Sequence, residues 1–370
     1  MLPQIIALYL PQFYPFKEND EWWGKGFTEW TNVGRARPLF RGHYQPRVPA
    51  DLGYYDLRLP EVREQQVELA REAGVTAFCY WHYWFGNGRR LLERVFDEVL
   101  ESGKPDFPFC LGWANHSWYA KTWDKTTHND KLLMEQTYPG EDDARAHFQF
   151  LLKAFRDKRY VKIDGMPFLF VFDPENLPIN YIELFRKWTK EAGFRDLYLV
   201  GNIYPFNERA KILSKGFQSV VINRLGCIRD YEYDKMPILK KYSMKMMRRV
   251  EEAISGIPRR ALNYEKHYHS LIDEEYDKAI DVIPQLIPQW DHSPRSGNKV
   301  QGIFYNSEPQ YFKKHAIEAL EAIKNKPQEY QILMIKSWNE WAEGNYMEPD
   351  LRYGHGYINA LREAIDETFK

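Results

Sequence analysis

The chain has 370 residues, enough for one large domain or two ordinary ones, and enough to bury a core without disulfides or metals. Its formal net charge of -1 excludes a global field that would recruit nucleic acid or an anionic membrane. Aromatic residues make up 16% of the chain, with 12 Trp and 25 Tyr, and this excess of flat, amphipathic side chains points to ring-shaped polar ligands, carbohydrate ahead of nucleobases.

The first ten residues lack a basic n-region, and Pro3 and Gln4 interrupt their apolar run, so no signal peptide is expected. The apolar run 5–10 is too short to span a bilayer. Cys79, Cys110 and Cys227 are far apart and form no CxxC. Cys79 and Cys110 lie in apolar runs and read as buried thiols, which fits a reducing compartment. A cytoplasmic protein without an integral membrane segment is the expectation.

Short apolar runs alternate with amphipathic patterns along the whole chain. IIALYL (5–10) is strand-like, and 60–74 is helical, with Pro60 at its start and Gly74 at its end. Strand VTAFCYW (75–81) precedes helix 90–103, and FPFCLGWA (107–114) precedes helix 142–157. FLFVFD (168–173) precedes helix 181–193, and LYLVGN (197–202) precedes helix 207–216. QSVVIN (218–223), then DVIPQLIPQW (281–290) with helix 309–325, and ILMIKSW (332–338) with helix 356–369 complete the series. Eight strands that are continuous apolar runs, most followed by a helix, predict a parallel sheet covered on both faces. The number fits a closed (β/α)8 TIM barrel better than a doubly wound open sheet, and no GxGxxG or Walker loop follows any strand. We expect one barrel domain over 1–370, long loops after strands 1 and 3, and a helical insertion at 225–280 between strands 6 and 7. The basic, methionine-rich segment at 235–260 reads either as a solvated helix face or as a contact for anionic lipid or a lipid-linked substrate.

In such a barrel the active site lies at the C-terminal ends of the strands. Those ends bring Trp81, His82 and Trp84 (strand 2), Trp113, Asn115, His116 and Trp118 (strand 3) and Asp173 (strand 4). Trp290 ends strand 7, and Trp338, Asn339, Glu340 and Glu343 end strand 8. Indoles stack on sugar rings, and covering about 100 Å² of a Trp face contributes roughly 2 kcal/mol before ordering costs. Glu340 and Glu343, three residues apart and packed among Trp338 and Trp341, supply the two carboxyl groups that glycoside cleavage commonly needs, one with a pKa raised by its apolar neighbours. No HExxH, zinc-spaced Cys/His set or GxSxG is present, and His267 and His269 fall in the insertion, so neither metal nor cofactor is expected.

The segments YLPQFYPFKENDEWWGKGFTEWTNV, PLFRGHYQPRVPADLGYYDLR, GVTAFCYWHYWFGNGRRLLERVFDEVL, GWANHSW and SWNEWAEGNYMEPD resemble the WbsX family over nearly the whole chain. That family occurs with surface-polysaccharide biosynthesis and is usually labelled as glycosyltransferases. It is similar in turn to glycoside hydrolase family 99, the endo-α-mannosidases. The resemblance implies a (β/α)8 barrel and retention of configuration, without a cofactor. It also implies that Glu340 takes the proton of the substrate's own 2-hydroxyl, that Glu343 is the acid/base, and that Tyr9 lines the site. Trp30, in GFTEW, joins the candidate substrate-binding residues. Ala342 stands where the hydrolases carry His. Glu29 is open between a third acidic site residue and an anchor for the first loop.

The expected function is therefore action on an α-linked glycan, an oligosaccharide or polysaccharide that is free or lipid-linked, in bacterial surface-polysaccharide or lipopolysaccharide metabolism. Hydrolysis and transglycosylation stay open, as does a catalytically silent glycan-binding barrel. Nucleic acid is not an expected partner.

Overall fold

The computed structural model describes residues 2–120, 131–204, 206–225, 237–259, 261–297 and 302–369. Eight parallel strands form the wall of a barrel: β1 Gln4–Tyr9, β2 Ala77–Trp84, β3 Phe109–Trp113, β4 Met166–Val171, β5 Tyr198–Ile203 and β6 Ser219–Ile222, then β7 and β8 Ile332–Ile335. Strand β7 comes in two pieces, Val282–Ile283 and Gln285–Leu286, because Pro284 between them has no N–H to donate. Each strand pairs with the next, as in Tyr9 opposite Tyr80 and Cys79 opposite Cys110. Val220 pairs with Val282, Gln285 with Met334, and Gln4 with Ile332, so β8 returns to β1 and the wall closes. That closure rules out the open, doubly wound sheet.

The eight expected strands all form, shifted by a few residues at their ends. Their apolar runs are buried along almost their whole length, Trp81 being partly exposed, because the barrel interior covers one face and helices cover the other. The helices that do this are Pro60–Ala73, Glu93–Ser102, Glu141–Phe155, Ile179–Glu191, Arg209–Ser214, Pro309–Ile323 and Gly356–Phe369. Gly112 in β3 is one place where the interior is too tight for a side chain: a Cβ there would come within 3.3 Å of Cys79, Phe170 and Trp81.

The long first loop is not irregular throughout. It folds into helices Lys17–Trp23 and Glu29–Arg35, which stand beside the mouth of the barrel. Thr28 caps the second of these by a reciprocal pair of hydrogen bonds with Thr31, which fixes Glu29 in its first turn. Within 225–280 the chain forms helix Ile238–Ser255 and a short strand, Ala261–Asn263, that pairs with Ile303–Tyr305. Cys227 lies outside the described residues; Cys79 and Cys110 are buried free thiols.

Candidate active site

At the end of β8 the backbone leaves the wall in a tight turn. Ser337 Oγ accepts the N–H groups of Asn339 and Glu340 at 3.1 and 3.0 Å. Asn339 is buried and pairs with Leu10 twice: its Oδ1 accepts the Leu10 N–H at 2.7 Å, and its Nδ2 donates to the Leu10 carbonyl at 3.0 Å. Trp338 is wholly buried against Phe78. Trp341 stacks on Tyr346, ring centroids 3.8 Å apart, and donates its indole N–H to Glu348 at 2.6 Å. These indoles are inward anchors. They pin the segment, and its two carboxylates, Glu340 and Glu343, are left facing the cleft.

The cleft has a volume of about 670 Å³ and is lined by both glutamates together with Glu29, Arg295, Lys336 and the indoles of Trp81, Trp118 and Trp290. Arg295 is its electrostatic centre. It donates to Glu29 at 2.8 Å, to Glu340 at 2.9 Å, and to Glu343. Glu29 is 1% exposed and also accepts the N–H of Ala342 at 3.0 Å, so it is at once an acidic cleft residue and an anchor for the first loop. Asp291 organises this corner. Its backbone N–H donates to the Glu343 carbonyl at 2.7 Å, and its Oδ1 accepts the N–H of Ser293 at 2.9 Å at the start of the turn that carries Arg295. Burial would raise the Asp291 pKa, but His43, Arg47 and Gln45 outweigh it and bring it down to about 2. Gly344 (φ 53°) follows Glu343 because a Cβ there would meet Asp291 at 2.7 Å.

Three carboxylates face two cations, so one negative charge is left over when all five groups are ionised. Burial raises the pKa of Glu29 and Glu340, and Glu343 raises that of Glu340 further, to about 8. Burial depresses Lys336, and the charges of Glu343 and Glu340 oppose this. Burial and the mutual repulsion of the carboxylates thus favour a proton within the cluster, and Arg295 stays charged because the carboxylates outweigh the cost of burying it.

Of the residues expected to bind substrate, Trp81, His116, Trp118 and Trp290 line the cleft. The others do not, and within the strands the reason is that successive residues face opposite sides. Trp81 and Tyr83 point inward, while His82 and Trp84 point outward, where His82 bonds His147 at 2.9 Å and Trp84 donates to Asp143 at 3.2 Å. Trp113 is buried beside them and donates to the Trp84 carbonyl. Tyr9, against the resemblance, is a core residue that donates to Gln66 at 2.6 Å. Trp30 packs on Phe13 and Trp341 under the loop. Asn115 bonds the backbone of Asp173, and Asp173 caps the turn at Asn176, so both are latches between loops. Arg295 and Lys336 were missed by sequence reasoning. Lys336 had a signal, a lone cation ending an apolar strand; Arg295, in a short turn after β7, had none.

The model of the family described as Glycosyltransferase WbsX matches residues 5–361. The WxcX proteins of two strains of Xanthomonas campestris pv. campestris are each 34% identical over 366 residues, covering 98% of this chain and 49% of their own length. The chain therefore spans about half the length of these curated relatives. Among solved structures, a glycoside hydrolase-like protein superposes with a TM-score of 0.58 at 16% identity, covering 98% of this chain and 94% of its own. The GH99 endo-α-mannosidase of Bacteroides thetaiotaomicron superposes with a TM-score of 0.55 at 16% identity, covering 99% and 97%. At that identity the likeness is one of fold: a glycoside hydrolase-like barrel. On a match that runs almost from end to end, the chain belongs to the family described as Glycosyltransferase WbsX.

Proposed function

We propose that this protein cleaves or transfers α-linked glycans with an accessible 2-hydroxyl, and that Glu340 and Glu343 are its carboxyl pair. The observation that carries this reading is their convergence on Arg295 in a cleft walled by Trp81, Trp118 and Trp290. The fold shared with a protein named as an endo-α-mannosidase supports an α-linked substrate. Family membership supports a role in bacterial surface-polysaccharide or lipopolysaccharide metabolism, on an oligosaccharide or polysaccharide that is free or carried on lipid. Two buried free thiols fit the reducing cytoplasm as its location. Among the described residues no helix is long and apolar enough to cross a membrane.

In this mechanism Glu340 accepts the proton of the sugar's 2-hydroxyl as O2 attacks C1. The bond from C1 to the departing oxygen breaks, and Glu343 gives that oxygen its proton. A 1,2-anhydro sugar results. Glu343, now a carboxylate, takes a proton from water or an acceptor hydroxyl, which opens the ring at C1, and Glu340 returns its proton to O2. The unliganded site favours the opposite arrangement: burial and the Glu343 charge raise the Glu340 pKa, and Arg295 bonds Glu343. Substrate binding must therefore loosen Arg295 from Glu343, so that the proton moves across the pair.

The test is incubation with α-mannans and O-antigen-type glycans without nucleotide sugar, with products read by mass spectrometry and Glu343→Gln run beside the parent. New saccharides from the parent alone support the reading; products that appear only when a sugar nucleotide is added refute it. The family name favours transfer over hydrolysis as the second step, and an added acceptor saccharide that appears in the product distinguishes them.

A further inference from the structure

The helix Ile238–Ser255 carries its side chains in the reverse of the usual order for a helix on a globular body. Ile238, Tyr242, Met246, Val250 and Ile254 recur every four residues, and Leu239 and Met247 widen the stripe. All seven are between 51% and 82% exposed. At about 100° per residue they fill one half of the helix circumference. Among the described side chains of the helix, the half-buried ones are Arg248, Glu252 and Ser255, all on the opposite half. Glu252 there pairs with Arg259 at 2.5 Å. The polar half thus carries the partly covered side chains, and the apolar half faces solvent.

The charges say what covers that face. The helix has five Lys and Arg against two Glu, a net charge of +3. By position, Lys240 lies just beyond one edge of the apolar half and Arg249 just inside the other, next to Ile238, and both are exposed. A second copy of the chain would bring two such cationic helices together, and they would repel. An anionic bilayer takes both features at once: the apolar half enters the acyl boundary, the bordering cations meet lipid phosphates, and Tyr242 sits at the interface. The helix is also tied to the side of the barrel where the cleft opens. Leu225, the last described residue before it, lines the cleft, and Ile257 just after it packs with Phe40 of the first loop.

We infer that the helix Ile238–Ser255 is a docking surface for an anionic lipid bilayer. Docking brings a glycan borne on a membrane lipid to the mouth of the cleft. That consequence rests on the proposed glycan chemistry, whereas lipid binding does not, so the two readings fail separately.

The experiment is flotation of the full chain with two kinds of vesicle, phosphatidylcholine alone and phosphatidylcholine with about 30% phosphatidylglycerol. The protein is expected to float with the anionic vesicles alone, and to lose most of that binding when salt is raised from about 0.1 M to about 0.5 M. Leu239→Glu with Met247→Glu should reduce flotation at least about tenfold. Lys240→Glu with Arg249→Glu should reduce it severalfold. Circular dichroism and melting should stay unchanged in both, since all four side chains are exposed. No flotation with anionic vesicles, equal flotation with both kinds, or no effect of either variant pair would overturn the inference. So would a dimer in light scattering that Leu239→Glu with Met247→Glu dissociates, because a second copy would then own the face.

Discussion

Arg295 Nη2 donates to Glu29 Oε1 at 2.8 Å, which joins the turn after β7 to the helix after β1 across the mouth of the barrel. Two loops from distant parts of the chain are thereby held by one charge pair. Glu29, being almost fully buried, depends on it.

Replacing Arg295 with Met should therefore cost stability as well as activity. It leaves Glu29 buried without its cation, at a cost of about 3–5 kcal/mol. Adding Glu29→Gln to Arg295→Met should recover part of that loss, because the amide needs no counter-charge. Urea unfolding of the parent, the two single variants and the double variant checks this, with coupling of at least about 1 kcal/mol as the expected outcome.

The carboxyl roles separate by leaving group. Loss of a proton donor is repaired by a substrate whose leaving group needs no proton, and loss of a base is not. Glu343→Gln should lose about 10²–10⁴ in kcat/KM on a natural glycan and regain most of it on an aryl glycoside with an acidic phenol. Glu340→Gln should stay inactive on both. The reverse pattern would show that the resting proton on Glu340 is the one delivered. Because burial and the Glu343 charge push the Glu340 carboxyl up to about 8, kcat/KM should rise as pH climbs toward 8, as expected for this group as the base.

Glu348 sets a pH dependence of stability. It lies outside the cleft, 1% exposed, and accepts from Trp341, Gln66 and Tyr55 at 2.6, 2.6 and 2.9 Å. Burial nonetheless raises its pKa to about 7, against those hydrogen bonds. A carboxyl with a raised folded pKa favours the folded state when protonated. Its contribution is complete below about 4.5 and is lost as pH rises through 7, at most about 3 kcal/mol. Glu348→Gln should flatten the melting temperature between pH 5 and 7, at a cost of about 1 kcal/mol for the hydrogen bond from Gln66 that an amide nitrogen cannot accept.

Indoles on the two sides of the wall should behave oppositely. Trp81→Ala removes a cleft platform and should raise KM by about tenfold with little change in melting temperature. Trp113→Ala empties a fully buried site and should destabilise by about 3–5 kcal/mol, with kcat/KM of the folded fraction retained. Calorimetry beside initial-rate kinetics on both variants separates the two.

These contrasts mark where the sequence is legible and where it is not. The strands announce themselves because a wall covered on both faces must be apolar throughout, as in ILMI at 332–335. That same uniformity hides which residues face inward. Trp81 and Trp84 read alike in the sequence, yet the pleat sends one to the cleft and the other to Asp143. The glutamates are legible because they stand beside Trp338 and Trp341, although those indoles prove to be anchors and not sugar platforms. Arg295 reaches them from 45 and 48 residues away, through a turn with no local pattern of its own.

Pro284 divides the seventh strand, so that Val282 and Ile283 pair with β6, while Gln285 and Leu286 pair with β8. Every other strand of the wall shares a longer ladder with at least one neighbour. The barrel therefore has a seam, and the cooperative unit that must open for solvent to reach these amides is small. The chain that leaves this seam leads within ten residues to Arg295. A fluctuation that slackens the seam would carry the guanidinium with it and free Glu343, while the long ladders of β1 to β5 keep the rest of the wall shut.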